Sequence, residues 1–289
     1  MTARITRRDG IRPYNAGMSD RPHALVLTAP GINCDEELCE AFTLAGADPV
    51  RVHINRLAAN PELLDEAELI GLPGGFSYGD AVAAGRIAAQ LIRSHLWEAL
   101  TRAIERGVPM IAPCNGFQIA VQAGLLPGPG TGSVWPDSPS PAEVALVDNE
   151  SARFIDKWVS VEYPADTVCI WTNGLDATAR GSLLPIAHGE GRFVAGDKLG
   201  HLVDSGQIAV RYAQDDNPNG SDGHVAGICD ASGLILGLMP HPERYTRWTQ
   251  HPFWTRLDEQ DRQGDPPGLA MFRNAVSWVK ARRGSAVEA

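Results

Sequence analysis

Ala112-Pro113-Cys114-Asn115-Gly116-Phe117-Gln118 is the stretch on which the fold turns. Before it, Val108 to Ala112 is a short apolar run of strand type. After it, Phe117 to Gly124 reads as a helix closed by glycine. A cysteine therefore sits on a sharp strand-to-helix turn, with Ala112 two residues before and Gly116 two after. This is the cysteine form of a nucleophile elbow: small neighbours let strand and helix approach, and the turn lifts the side chain above the sheet. The helix N-terminus beneath the sulfur favours the thiolate, the attacking form. A lone cysteine after a strand is more often a buried structural residue, so the reading depends on what the rest of the chain brings to it.

Working outward, the pattern alternates strand and helix. Ala24 to Thr28, Pro49 to Ile54 and Ala67 to Leu72 read as strands. Asn33 is the expected N-cap of a helix whose first turn carries Asp35, Glu36 and Glu37, with Leu38, Phe42 and Ala45 on one face up to Gly46. A helical pattern in one or two pieces runs from Ala83 to Arg106. This spacing predicts right-handed crossovers and a doubly wound, mostly parallel α/β sheet, in which ligands lie beyond the carboxyl ends of the strands. Pro127 to Pro141, rich in Pro, Gly and Ser, reads as a surface loop. Strand-like runs follow at 144–147, 158–163, 168–171, 184–187 and 208–212, antiparallel in prospect. Val225 to Cys229 and Leu234 to Met239 form a hairpin through Asp230-Ala231-Ser232-Gly233. A last helix is expected from Leu269 to Arg282.

Composition narrows the class. The 289 residues carry 25 basic and 35 acidic side chains, a formal charge of -10, which disfavours nucleic acid and anionic membrane as partners. No apolar run reaches the length of a membrane helix. Five scattered cysteines (34, 39, 114, 169, 229) make no disulfide framework and, with no ligand spacing, no metal site; reduced thiols in a cytoplasmic enzyme are the expectation. Residues 1–21 are Arg-rich without an apolar core and read as a flexible extension, with Met18 as a second candidate start. Residues 22–289 read as a single domain.

Two further segments supply chemistry. His241 and Glu243 flank Pro242; in extended backbone, positions two apart share a face, and a carboxylate beside an imidazole fixes its tautomer and stabilises its charged form. With Cys114 they would make a Cys-His-Glu nucleophile system. Gly74 and Gly75, just after the third strand, let backbone N–H groups face a ligand. With the N–H of Asn115, those of Gly74 and Gly75 would form an oxyanion hole, each donor contributing roughly 3 kcal/mol when well placed; an ordinary tight turn is the alternative. The loop lacks the Lys-Ser/Thr ending of a phosphate-binding loop. Gln118, one turn into the helix, is a candidate for orienting substrate or for a structural contact. Trp248, His251, Phe253 and Trp254 form an aromatic cluster suited to an interface or to packing on the core.

The segments Cys114 to Gln118, Pro73 to Asp80 and Pro240 to Arg244 resemble class I glutamine amidotransferases. Pro30 to Asp35, Asn149 to Phe154, Ala187 to Phe193 and Asn217 to Ser221 narrow the resemblance to the glutaminase subunits of phosphoribosylformylglycinamidine synthase. It covers about residues 23–280. It implies a flavodoxin-like sheet with an added antiparallel section, Cys114 as nucleophile, His241 as general acid/base and Glu243 as its orienting carboxylate. It also implies L-glutamine as substrate and no cofactor in this chain. ATP and Mg would belong to a large synthetase subunit that converts formylglycinamide ribonucleotide to formylglycinamidine ribonucleotide, with a small accessory subunit bridging the two in separate-subunit members. His188 falls in a matching segment and is read as packing or partner contact. The chain departs from the family pattern at Ala112-Pro113, where glycine and an aliphatic residue are usual. The alternatives are a glutaminase serving another synthetase, a related thiol hydrolase of the same fold, which steady glutaminase activity without a partner would favour, and a catalytically silent binding or regulatory subunit. Failure of a glutamine-like electrophile to label Cys114 would favour the silent subunit.

Overall fold

The computed structural model describes residues 20–175 and 182–287. Met18 and nearly all of the predicted N-terminal extension lie outside the described residues. In chain order the elements are β1 (His23–Thr28), α1 (Asp35–Ala45), β2 (Asp48–His53), α2 (Ile54–Ala59), β3 (Leu69–Gly71), α3 (Arg86–Leu91), α4 (Trp97–Glu105), β4 (Met110–Pro113) and α5 (Asn115–Ala123). Then come β5 (Ala145–Val147), β6 (Ile155–Glu162), β7 (Leu183–His188), β8 (Arg192–Val194), α6 (Lys198–Asp204), β9 (Ile208–Tyr212), β10 (Val225–Cys229), β11 (Ile235–Leu238) and α7 (Pro267–Val287).

Nine strands form one sheet in the order β2-β1-β3-β4-β11-β10-β9-β6-β7, and β5 pairs with β8 in a separate ribbon. The pairs among β2, β1, β3, β4 and β11 are parallel; those from β11 through β10, β9 and β6 to β7 are antiparallel. This is the expected doubly wound α/β sheet with an antiparallel section added at one edge. Strand alternation sends Leu25 and Leu27 to one face and Ala24 and Val26 to the other. On the first face pack α2 through α5, through residues such as Leu57, Ala88, Leu100 and Phe117. On the second pack α1 and α7, where Phe42 meets Phe272 edge-on at 5.1 Å. Each fully buried aliphatic or aromatic side chain there contributes about 1.5–3 kcal/mol. Among the described residues no helix is long and apolar enough to cross a membrane.

Several local expectations change. The N-cap of α1 is Cys34, not Asn33, and it makes no side-chain cap bond; the three acidic residues of the first turn offset the helix dipole instead. The helical pattern at 83–106 is two helices joined by a π-turn at Ile92–Leu96. The run 168–171 forms no strand, because its N–H groups are taken by loop carbonyls: Val168 donates to Gly206 (2.9 Å) and Ile170 to Gly233 (3.1 Å). The loop at 127–141 is tied down, since Trp97 Nε1 donates to the Pro136 carbonyl at 2.9 Å and its ring packs against Trp135.

Candidate active site

Three neighbouring parallel strands end at one place. Gly74 and Gly75 follow β3, Cys114 follows β4 and His241 follows β11, and these strands are adjacent in the sheet. The fold thus brings Gly74 and His241, 40 and 127 residues from Cys114 in sequence, to the strand ends where such sheets place ligands.

Cys114 stands at φ 50°, ψ -109°, in the left-handed half of backbone space that a residue with a side chain seldom occupies. It is held there from both sides. Its N–H donates to the Leu238 carbonyl at 2.7 Å, and its own carbonyl accepts from Phe117 and Gln118 in the first turn of α5. Gly116 makes the turn possible: a Cβ there would run into the Leu72 carbonyl oxygen. Strain of this kind persists where the surrounding structure over-determines it, and it clusters at functional sites. Pro113 ends β4 in register with Leu238 without disturbing the Cys114 bond.

Opposite the sulfur, His241 Nδ1 lies 2.6 Å from Glu243 Oε1, both side chains buried. The pair does not form by extended alternation. His241 has φ -106° and ψ 84°, and Pro242–Arg244 is a turn of 3-10 helix that swings Glu243 back toward the ring. Burial opposes a charge on His241, but the Glu243 carboxylate and then the neighbouring Cys114 sulfur outweigh it. The imidazole is therefore held well above its ordinary pKa. An imidazolium oriented by a carboxylate beside a thiol sulfur is equipped to give and take a proton there.

Cys34, expected to be an ordinary thiol, is also here. Its sulfur and one polar atom each of His241 and Glu243 lie within 4.8 Å of one another, and Arg244 Nη2 donates to the sulfur at 3.0 Å. No motif spacing announces this, because it depends on how the loop at 30–35 folds. That loop clamps the glycine segment: Cys34 N–H donates to Gly74 (3.3 Å), Gly31 accepts from Phe76 (2.9 Å) and Pro30 from Tyr78 (2.6 Å). Gly75 sits at φ 136°. A Cβ on Gly74 would lie 2.8 Å from His241 Cε1 and 3.4 Å from Cys114 Cβ, so the backbone approaches the pair as closely as it can.

The side chains of Asn115 and Gln118 serve the frame. Asn115 Oδ1 accepts from Ser77 N–H (3.1 Å), and its Nδ2 donates to Gln118 Oε1 (2.8 Å) and Asp80 Oδ1 (3.3 Å). Gln118 Nε2 donates to the Glu190 carbonyl, tying α5 to the loop after β7. A cleft of about 320 Å³, of a size usual for small-molecule sites, opens beside Cys114. Gly75, Gln118, Arg153, His188 and Glu190 are among the residues lining it. The aromatic group at 248–254 lies elsewhere: Trp248 and His251 pack on Tyr245, while Phe253 and Trp254 stay exposed.

A strained cysteine above parallel strand ends faces an imidazole–carboxylate pair across a glycine loop, an arrangement suited to thiol-dependent acyl transfer. Residues 21–279 match the family model described as a CobB/CobQ-like glutamine amidotransferase domain. The chain is 39% identical to the phosphoribosylformylglycinamidine synthase subunit PurQ of Dehalococcoides mccartyi, over 89% of this chain and 97% of that one. It is likewise 39% identical to the PurQ subunit of Treponema denticola, over 90% and 99%. Among solved structures, PurLQS from Thermotoga maritima superposes with a TM-score of 0.65 at 34% identity, covering 90% of this chain and 99% of that one. The chain belongs to this family of glutamine amidotransferases, the PurQ subunits.

Proposed function

We propose that this chain is the glutaminase subunit of phosphoribosylformylglycinamidine synthase and that Cys114, His241 and Glu243 carry its chemistry. The Cys114 thiolate adds to the side-chain carbonyl carbon of L-glutamine, forming a C–S bond. The oxygen takes the negative charge and is met by the N–H groups of Gly75 and Asn115. As the C–N bond breaks, His241 gives its proton to the departing nitrogen, which leaves as ammonia. The glutamyl thioester remains. Water, losing a proton to His241, then attacks the same carbon, the C–S bond breaks to restore the thiolate beside the protonated ring, and glutamic acid leaves, giving its own proton to solvent. Glu243 holds the ring in one orientation throughout and offsets its charge. Gly74, pressed against the ring, leaves no room for it to swing away.

Ammonia released into bulk water is protonated and lost, so the product needs a sheltered route to a partner. That partner is the ATP- and Mg-using synthetase subunit, which converts formylglycinamide ribonucleotide to formylglycinamidine ribonucleotide in de novo purine synthesis. A small accessory subunit completes the complex. The PurLQS assembly of the Thermotoga maritima relative supports this arrangement. Residues 22–289 act as one amidotransferase domain, residues 1–21 as an extension outside it, and the reaction takes place in the cytoplasm.

The observation that carries the reading is Cys114 at φ 50° facing the buried His241–Glu243 pair. The test is co-purification with the host synthetase, followed by product formation from glutamine and from ammonium. Cys114→Ala is expected to abolish the glutamine-dependent rate and keep the ammonium-dependent one. An unchanged rate with glutamine would defeat the assignment.

A further inference from the structure

His188 is the buried ring that this chemistry leaves unused. It is 2% exposed, ends β7 and lines the cleft that holds Cys114. Its tautomer follows from Asn149. The Asn149 amide nitrogen donates to the Arg153 carbonyl (2.8 Å) and the His188 carbonyl (2.9 Å), while its oxygen accepts from Gly191 N–H (3.2 Å). That oxygen also lies 3.0 Å from His188 Nδ1, so Nδ1 must carry the hydrogen. Nε2 is then a bare lone pair, enclosed and without a hydrogen-bond partner. A buried acceptor left unpaired is costly and calls for an explanation. Among the described residues no group meets it, and its ring borders the cleft beside Cys114, from which a bound molecule can supply the donor.

Resting on the reading of this chain as a glutaminase, we propose that His188 is a specificity-determining residue whose Nε2 accepts an N–H of the substrate's side-chain carboxamide. The ring stays neutral in this role: burial, and secondarily the charge on nearby His241, push it down to about 4. A neutral Nδ1–H imidazole offers an acceptor and no second donor. It therefore favours a carboxamide, which has hydrogens to give, over the carboxylate of the glutamate product, which has none. One atom thus helps admit the substrate and release the product. The sequence around it, Asn149 to Phe154 and Ala187 to Phe193, supplies the parts that fix the tautomer: Asn149, the Arg153 carbonyl and Gly191. The absence of a side chain on Gly191 leaves room for the ring, since a Cβ there would overlap His188.

The experiment compares L-glutamine with L-glutamate γ-methyl ester, which is attacked at the same carbon but has no N–H to donate. Both are assayed on the full chain assembled with its synthetase, as wild type, His188→Leu and His188→Gln. His188→Leu should lower kcat/KM for glutamine about 10- to 100-fold, the effect of one lost buried hydrogen bond, with most of the change in KM. The ester should change by less than about threefold. His188→Gln, whose side-chain oxygen can take the place of Nε2, should recover much of the loss. Equal losses on the two substrates, or undiminished glutamine turnover in His188→Leu, would overturn the role of His188 alone. Absence of Cys114-dependent ammonia release in the wild type would overturn the glutaminase reading along with it.

Discussion

Gly74 has no side chain because none fits. A methyl group there would stand 2.8 Å from His241 Cε1 and 3.3 Å from the Cys34 sulfur, and the ring cannot turn away without giving up the bond from the adjacent Nδ1 to Glu243. Gly74→Ala should therefore displace the imidazole by a fraction of an ångström. Misplacing a catalytic group by about 1 Å costs on the order of a hundredfold in rate. The expected result is a glutamine-dependent kcat/KM reduced about 10- to 100-fold, with a melting temperature close to wild type; full activity would show that the ring does not depend on this contact. The residues proposed to do the chemistry were legible because each carries a local signature: an elbow around Cys114, glycines after a strand, a histidine and glutamate two apart. Cys34 was not, since its place beside His241 is set by a loop closing over the glycine segment. The His241–Glu243 pair was read correctly as a pair but for the wrong backbone, because proline at the start of a tight helical turn and proline in an extended segment look alike in sequence.

The elbow as an element depends on how closely α5 can approach β3. In an exposed helix, replacing glycine by alanine gains about 1 kcal/mol. At Gly116 the added Cβ would meet the Leu72 carbonyl oxygen, a backbone atom held in the sheet by the Leu72 N–H bond to Ile111 (2.9 Å). Overpacking of this kind costs about 1–3 kcal/mol, so the clash wins. Gly116→Ala should lower the urea midpoint and, because Cys114 rides on the same turn, lower glutamine turnover as well. A stabilised variant would mean that strand and helix are less tightly apposed than described. Element types were legible wherever apolar periodicity ran for five residues or more, as in β1, β9, β10 and α7. Of the shorter pieces β3, β4 and β5 were legible, and others were not. α2, α6 and the three-residue β8 carry too few turns or alternations to register. The run at 168–171 had strand composition but no strand neighbour, its hydrogen bonds going to loop carbonyls instead.

At the scale of the whole molecule, the buried histidines set limits on pH. In the unfolded chain His188 titrates near 6.5, whereas in the fold burial and then the charge on His241 push it down to about 4. Between those values the unfolded chain binds a proton that the folded chain refuses, so stability falls as the pH is lowered from about 6.5 to 4. Below 4 both states are protonated and no more is lost. The full effect is roughly 3 kcal/mol. His251, lowered by burial, acts in the same direction. His241 acts in the opposite one: burial opposes its charge, but Glu243 and Cys114 raise it well above its ordinary value. Its contribution is complete below 6.5 and disappears as the pH climbs through its folded value. The two effects bound the stable range on the acid and alkaline sides, and the acid limb can be assigned. In thermal unfolding at pH 7, 6, 5 and 4.5, the wild type should lose melting temperature steadily. His188→Gln, which has no proton to take up, should start lower but fall less steeply over the same interval. Parallel slopes would show that His188 titrates normally in the fold, so that on acidification its Nδ1–H bond to Asn149 would survive but the bare Nε2 acceptor would not.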